Sequence, residues 1–517
     1  MKRLSTISIC IVLALAACKK DLTVGDPNNV TVQSFWKTAA DAQQGVAAIY
    51  STYHRTGLCR WLYFMTMVRA DEGYSTSPNS DIVNVYDVFN ITDYNDGQIT
   101  TVYQDDYIGI NRCNQVLDNV PNIAMDANLK TQLLGEAKFM RGFFYYNLAT
   151  IFGNVAILLH APSVGEYPPT KPQDSVFVRA EQDFTDAAAA LPVSYDASGL
   201  GRATKGAAYA MLGKALMQQH KYPDAQAAFA WLITGGGKGL YSLTPNYRSN
   251  FVIASENNAE SVFEWQNAVN PNDTHDDDTQ VGTSDNLNYG TSIPPFFAPS
   301  PVGFTDGQAR RWPVWEFLKE KTTGGTRDPR LAATFLYDST DERGPAFSLA
   351  YGKPWNQLGL ADPSIPHSNV NEVCFRKQLD DSAGTGEVFH SGNNYRYVRY
   401  ADVLLLYAEA LNAQGQTPAA YPFVDQVRVR AGLAPLSTAM PGLSQTDFLN
   451  QLKHERITEL TGEGHRWEDL ARWGDLGPGL ASRDPGFANF KKGKDEFMPI
   501  PQFDLDANPN LKQNPGY

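Results

Sequence analysis

The chain has 517 residues, of which 43 are Lys or Arg and 56 are Asp or Glu, so its formal net charge is -13 at neutral pH. An acidic protein repels phosphate backbones, and no basic run offsets the excess, which argues against a nucleic-acid partner. After the first apolar run, no stretch approaches the ~18 apolar residues of a membrane-spanning helix, so the sequence predicts no later span.

The chain opens with two cations, Lys2 and Arg3, and continues into an apolar run from Ile7 to Ala17. As a helix of about eleven residues, this run would be roughly 16 Å long, too short for a bilayer core of ~30 Å. The pattern is typical of a secretory signal peptide; the alternative is a first helix of the folded domain. The sequence LAAC at residues 15–18 resembles a bacterial lipobox, which implies cleavage before Cys18 and lipid on that cysteine.

The composition and the hydrophobic periodicity of the sequence change several times along the chain. We predict a signal peptide over residues 1–17, a lipidated tether over 18–29, an N-terminal helical part over 30–235, a loop-rich region over 236–395, and a C-terminal helical part with an extended strap over 396–517, packed with the N-terminal part as one unit.

Apolar residues recur at helical spacing in several segments of the N-terminal part. A first helix is predicted to start at a Ser34 cap, and another runs from Glu136 to about Gly153. A third ends at Pro192, and a helix pair follows with a turn at residues 221–223. After the loop-rich region, which has short helical patches such as residues 313–321, helices are predicted to return from about residue 394.

The helix pairs carry a tetratricopeptide-like signal. Such hairpins need a small residue where the first helix crosses the second, and Ala followed by an aromatic residue four later in the second helix. Gly213, Ala225 and Phe229 have this spacing; Ala408, Ala420 and Val424 repeat it, and Ala180 with Phe184 fits the second helix of a third unit. We therefore predict a mainly α fold built on such hairpins, with a large loop-rich insertion; ordinary amphipathic helices are the alternative.

No catalytic motif is complete. In HERIT, residues 454–458, Thr458 stands where a zinc HExxH helix has its second histidine. The acidic segment 272–279 could bind Ca²⁺ through Asp273–Asp278, but it lacks the glycine and distal glutamate of an EF-hand loop, so a solvated loop is preferred. We predict no enzyme activity and no cofactor. The three cysteines beyond the leader, Cys59, Cys113 and Cys374, lack CxxC spacing and are predicted to be partly buried thiols.

The C-terminal segments at residues 397–412, 454–474 and 497–517 resemble the hallmarks of the SusD/RagB family of outer-membrane nutrient-binding lipoproteins. Earlier segments agree in the family's order, among them MVRADE at residues 67–72. Trp467, Leu470 and Trp473 lie on one helical face for burial. Glu455, Arg456, Glu459, Glu463 and Arg466 are spaced to cross-link at i,i+3 or i,i+4. We interpret these residues as fold-specifying rather than ligand-contacting.

The resemblance implies a scaffold of about four tetratricopeptide-like units and a loop-rich ligand face. It implies a lipid-anchored protein of the outer membrane, facing outside, that captures a glycan for a SusC-like TonB-dependent barrel. The alternatives are the same transport role with a peptide or another nutrient as ligand, a surface glycoside hydrolase, and a structural adaptor.

Sugar rings stack their apolar faces on aromatic side chains, while Asp, Asn and Arg bond the hydroxyl groups. We select Tyr289 and Trp312 as the best candidate platforms because polar or loop-forming residues flank them. The full set of candidate ligand-binding residues is Arg69, Asp71, Tyr74, Asn79, Asp81, Trp265, Tyr289, Phe296, Trp312 and Trp355.

Overall fold

The computed structural model describes residues 35–76, 82–269, 289–337, 350–351, 373–381, 387 and 389–517. Cys18, Ser34, Asn79, Asp81, Trp355, the predicted leader and tether up to residue 29, and the acidic segment 272–279 lie outside these residues. In the described part the fold is mainly α-helical, as predicted, and no helix there is long and apolar enough to cross a membrane.

The described α-helices lie before, within and after the loop-rich region, and those within it are short. They are α1 (Ala39–Ser51), α2 (Leu62–Met67), α3 (Ile82–Asp87), α4 (Gly97–Asn119), α5 (Ala127–Ile151), α6 (Gln173–Ala190), α7 (Lys205–Gln218), α8 (Tyr222–Ile233), α9 (Ile293–Phe297), α10 (Trp312–Phe317), α11 (Arg330–Thr334), α12 (Tyr400–Ala413), α13 (Thr417–Arg430), α14 (Leu436–Ala439), α15 (Gln445–Leu460), α16 (Arg466–Trp473) and α17 (Gln502–Ala507).

Short antiparallel strand pairs join distant segments of the chain. The strands are β1 (Gly73–Ser75), β2 (Val155–Ala156), β3 (Thr170–Lys171), β4 (Ser261–Trp265), β5 (Gly307–Ala309), β6 (Phe335–Tyr337), β7 (Val373–Phe375) and β8 (Tyr395–Arg399); β1 pairs with β5, β2 with β3, β4 with β8 and β6 with β7.

Three predicted helix starts differ from the structure. Helix α5 begins at Ala127 rather than at Glu136, because the Asp126 side chain caps it by accepting from the N–H of Leu129 (2.9 Å). Helix α1 begins after Thr38, not after Ser34, because Thr38 and Asp41 form a capping box that satisfies the first backbone N–H groups. Residues 395–399 form strand β8 before helix α12 starts, because they pair with β4 and all five side chains are buried. The aromatic and β-branched residues of YRYVR favour such a strand.

At two contacts between consecutive helices, a phenylalanine ring packs directly against a glycine of the preceding helix. A Cβ atom on Gly213 of α7 would lie 2.3 Å from the ring of Phe229 on α8, and one on Gly142 of α5 would lie 3.0 Å from Phe184 on α6. The rings therefore fill the space that the glycines leave open. This packing is compatible with the predicted hairpins; the number of units stays a prediction.

Gly213→Ala should lower the free energy of unfolding by about 1–3 kcal/mol, although alanine is the better helix former, because the added methyl group overpacks the contact with Phe229. Gly97→Ala is the matched control, since a Cβ at Gly97 meets nothing within 4 Å. Urea unfolding of both variants measures the difference. Equal stabilities would show that Phe229 moves aside freely.

One hydrophobic cluster joins buried residues from Ala42 in α1 to Ile500 in the C-terminal strap. Residues 498–501 of the MPIPQ segment form neither helix nor strand, and α17 begins at Gln502. The Met498 N–H donates to the carbonyl of Ile151 at the end of α5 (2.8 Å). Cys59, Cys113 and Cys374 are all fully buried, more so than predicted.

Candidate functional site

A cavity of about 380 Å³ opens on the surface beside Tyr289. Its walls are the second half of α1, the turn at residues 198–202 and the end of β4 with the residue that follows it. The strand pair β4–β8 positions this end, because Trp265 is in register with Tyr395 in the interior. Sequence-distant segments thus meet at one concave site.

Aromatic rings form the floor and one side of this cavity. Trp265 is buried and stacks on Tyr53, with ring centroids 4.3 Å apart and an interplanar angle of 2°. Tyr289 is 45% exposed, and its carbonyl accepts a hydrogen bond from the N–H of Ala268 (2.7 Å), which holds the two chain segments together. Tyr289 therefore offers a ring face to a ligand, while Trp265 supports the floor.

Polar groups line the rest of the cavity. Gln266 exchanges side-chain hydrogen bonds with Asn257 (2.9 and 3.0 Å), and its carbonyl lies 3.1 Å from Nε2 of His54. The Gln266 amide also donates to the carbonyl of Glu264 and accepts from Asn394 (both 3.1 Å), so its donors and acceptors are used within the protein. Gln43 of α1 is an exposed amide of the cavity lining, and it can both donate to and accept from a ligand hydroxyl group.

The charged groups at the cavity are paired with other charges of the protein. Arg202 donates to both carboxylate oxygens of Glu136 (2.9 and 2.7 Å), and Glu264 lies 3.0 Å from Arg396. Burial raises the pKa of Glu264, which Arg396 opposes. Among the described residues that line the cavity, Glu264 is the one carboxylate. The arrangement is suited to binding a polar ligand with an apolar face.

Three predicted ligand residues lie in the interior instead. Asp71 accepts two hydrogen bonds from Arg466 (2.6 and 2.9 Å), and Trp312 donates from Nε1 to the carbonyl of Asp71 (2.5 Å). Arg69 lies 3.9 Å above the ring of Trp467, and burial lowers its pKa to about 10. Trp312 is only 6% exposed, although polar residues flank it in the sequence. Its role as a platform stays a prediction that this burial does not favour.

The remaining described candidates, Tyr74 and Phe296, are not among the residues that line this cavity. Tyr74 is half-buried, donates to Gln308 (2.7 Å) and lies 4.2 Å below the guanidinium of Arg310. Phe296 is mostly buried and contacts Phe304, with ring centroids 5.8 Å apart. Of the predicted set, the structure brings only Trp265 and Tyr289 together at one cavity, within the described residues.

Several strongly exposed aromatic residues were not predicted from the sequence, among them Phe503 (61% exposed), Trp315 (56%) and Phe304 (54%). Trp315 shares the short helix α10 with Trp312, and periodicity over six residues is too short to say which ring faces outward. His54 and Gln266 were also missed; the signal available for Gln266 is its position next to Trp265.

Comparison with known proteins identifies the family. A sequence model described as the SusD family matches residues 218–517, and one described as "Starch-binding associating with outer membrane" matches residues 28–217. SusD-like protein P2 of Formosa agariphila is 26% identical over 537 aligned residues and covers 100% of both chains.

Solved structures agree with this assignment. A SusD superfamily protein from Bacteroides vulgatus is 24% identical with a TM-score of 0.79, covering 93% of this chain and 100% of its own. A structure described as a laminarin binding SusD-like protein is 25% identical with a TM-score of 0.74, at the same coverage. Surface glycan-binding protein A from Bacteroides uniformis is 22% identical with a TM-score of 0.72, covering 92% of this chain and 99% of its own. The chain belongs to the SusD family.

Proposed function

We propose that this protein is a surface glycan-binding lipoprotein that delivers oligosaccharides or polysaccharides to a SusC-like TonB-dependent transporter of the outer membrane. The observation that carries the proposal is the cavity that the exposed ring of Tyr289 lines together with buried Trp265 and the exposed amide of Gln43. The laminarin binding described for one relative and the outer-membrane association described for the N-terminal family model support it.

Binding would use two complementary surfaces of a sugar. The apolar C–H face of a pyranose ring stacks on Tyr289, and ring hydroxyl groups exchange hydrogen bonds with exposed groups of the lining such as Gln43. The ligand would leave chemically unchanged, because the described cavity lining holds one carboxylate and glycoside hydrolysis needs two.

The proposed location follows from the family and from the leader. The lipid on Cys18 would hold the protein to the outer membrane with the cavity facing outside. Several acyl chains on one cysteine would anchor it more firmly than a single chain could.

Tyr289→Ala should weaken glycan binding at least about tenfold, which corresponds to ~1.4 kcal/mol, because the ring face that stacks on the sugar is removed. Tyr167→Ala is the matched control: Tyr167 is 48% exposed and is not among the residues that line the cavity. The measurement is a binding screen of the purified protein against laminarin, starch, other plant, fungal and host polysaccharides, and peptides, with calorimetry on each hit.

The outcomes separate the alternatives. A polysaccharide hit that Tyr289→Ala weakens and Tyr167→Ala leaves intact supports both the ligand class and the site. A polysaccharide hit unchanged in Tyr289→Ala refutes the site, and binding of peptides alone refutes the glycan while leaving the transport role. No hit at all contradicts the proposal.

A further inference from the structure

Three side chains that can bind a metal ion meet between the segment after α10 and helix α15. Glu320 follows α10, and His454 with Glu455 lies on α15. Each of the three residues offers one ligand atom, and these atoms all lie within 4.8 Å of one another. Two segments more than a hundred residues apart in the sequence thus bring a nitrogen and two carboxylate oxygens to one point.

Glu455 supplies a second, independent observation. The residue is fully buried, and its Oε1 accepts hydrogen bonds from Arg428 and from Gln451 (2.8 Å). Its other oxygen, Oε2, is buried and has no hydrogen-bond partner among the described residues. A buried carboxylate oxygen without a partner is unfavourable unless water or an ion satisfies it. Glu455 therefore brings to the cluster a carboxylate with one buried oxygen that has no hydrogen-bond partner among the described residues.

His454 is oriented as metal-binding histidines commonly are. Its Nδ1 lies 2.8 Å from Oε2 of Glu316 on α10. A carboxylate that holds one ring nitrogen fixes the ring and leaves the other nitrogen for a metal ion. HERIT is incomplete as a zinc motif because a second histidine is missing from the helix. In the structure, Glu320 from another segment lies beside His454 and Glu455 as a third possible ligand.

The charged side chains around the three possible ligands carry more negative than positive charge, which favours binding of a cation. Three carboxylates, of Glu316, Glu320 and Glu455, face two cations: Arg428, which pairs with Glu320 (2.7 Å) and Glu455, and Lys319, which pairs with Glu316 (2.7 Å). With a neutral histidine the cluster therefore carries one net negative charge. The side chains of His454 and Glu320 are 13% and 20% exposed, so an ion can reach them from solvent.

We propose that Glu320, His454 and Glu455 bind one divalent transition-metal ion, with Zn²⁺ as the best match. One imidazole nitrogen with two carboxylate oxygens suits Zn²⁺ or Mn²⁺ better than Ca²⁺ or Mg²⁺, which prefer oxygen ligands alone. The ion would connect the end of α10 to α15 and satisfy Oε2 of Glu455. This site is independent of the glycan cavity and goes beyond the prediction, from the sequence, that no metal is bound.

The test is calorimetric titration of the purified, chelator-dialysed protein with ZnCl₂. We expect saturable binding of one ion at this site, weakened at least tenfold in both His454→Ala and Glu320→Gln. We also expect Zn²⁺ to raise the melting temperature of the wild type but not of these variants. Both substitutions are at partly exposed side chains, so they should leave the fold intact.

Two histidine controls exclude binding elsewhere. His160 is exposed and paired with Asp118, and His275 lies in the acidic segment 272–279, the other part of the sequence with cation-binding residue types. His160→Ala and His275→Ala should bind Zn²⁺ as the wild type does. Absence of Zn²⁺ binding in the wild type, or wild-type affinity in both His454→Ala and Glu320→Gln, overturns the proposal.

Discussion

Glu459→Ala should lower the free energy of unfolding by about 3–5 kcal/mol, a large part of the 5–15 kcal/mol by which most domains are stable. The Glu459 carboxylate is fully buried and joins three guanidinium groups: Arg399 (3.0 Å), Arg430 (2.5 Å) and Arg330 (3.1 Å). Removing the carboxylate leaves these cations buried together with one anion fewer. The free-energy cost of a buried charge without a partner is larger than the net stabilisation that the intact ion pair provides.

The pKa of Glu459 supports this expectation. Burial alone would raise this pKa, but Arg430, Arg399 and Arg330 outweigh burial and lower it from 4.5 to about 2. The carboxylate therefore contributes stability that is fully present above about pH 4.5 and is lost as the pH falls toward 2. Other carboxylates, such as Glu260 beside Arg399 and Arg430, remain in the variant and limit the loss.

Glu166→Ala is the matched control for Glu459→Ala, because Glu166 is an exposed loop residue whose truncation should change stability by less than about 0.5 kcal/mol. Urea unfolding near neutral pH compares the two variants with the wild type. Similar stability of both variants would mean that the buried arginines rearrange or admit water at little cost.

The charged residues of helix α15 show how far the sequence could predict the fold. Helical spacing placed Glu455, Arg456 and Glu459 on a surface where they could pair along their own helix. The structure pairs them with other segments: Glu455 with Arg428, and Arg456 with Asp402 (2.8 Å). Their fold-specifying role was therefore a sound inference, whereas their partners depend on tertiary contacts that i,i+4 spacing does not encode.

The same limit applies to Trp467 and its neighbours on α16. The shared face of Trp467, Leu470 and Trp473 was predicted for burial; Trp467 and Leu470 are buried, and Trp473 is half-buried at the edge, where Lys453 lies 4.8 Å from its ring. Periodicity identifies the face of a helix, but only the tertiary packing decides where that face ends.

The candidate site was only partly predictable, because local sequence patterns identify residue types but not the tertiary contacts between distant segments. Tyr289 and Trp265 were selected as aromatic residues of the loop-rich region, and they meet at the cavity. The other wall comes from α1 and from the turn at 198–202, more than 60 residues away along the chain from Trp265. No local pattern links these segments, because the β4–β8 pair and the packing of α1 bring them together.

Glu72→Gln should make the protein more stable than the wild type at alkaline pH, by about 2–5 kcal/mol above pH 8. Glu72 ends the MVRADE segment, is fully enclosed and faces the backbone N–H of Gly462 at 3.5 Å. Burial raises its pKa from 4.5 to about 8; the neighbouring Asp71 adds to this, and Arg466 opposes it. The folded protein therefore keeps a proton on Glu72 at neutral pH.

The sign of the pH dependence follows from proton binding. Below about pH 4.5 Glu72 is protonated in both the folded and the unfolded state, so the variant and the wild type should differ little. Between 4.5 and 8 the unfolded chain releases a proton that the folded protein retains, so this residue lowers wild-type stability as the pH rises. Glutamine preserves the shape and the carbonyl acceptor but does not titrate, which removes the loss.

Urea unfolding of Glu72→Gln and the wild type across this pH range measures the effect, with exposed Glu166→Gln as the control that should follow the wild type at every pH. Since other buried acids, such as Glu387 with a pKa raised to about 7, remain in both proteins, the difference between the two curves isolates Glu72. A difference that does not grow between pH 4.5 and 8 would mean that Glu72 is ionised in the folded state, with its charge balanced by Arg466.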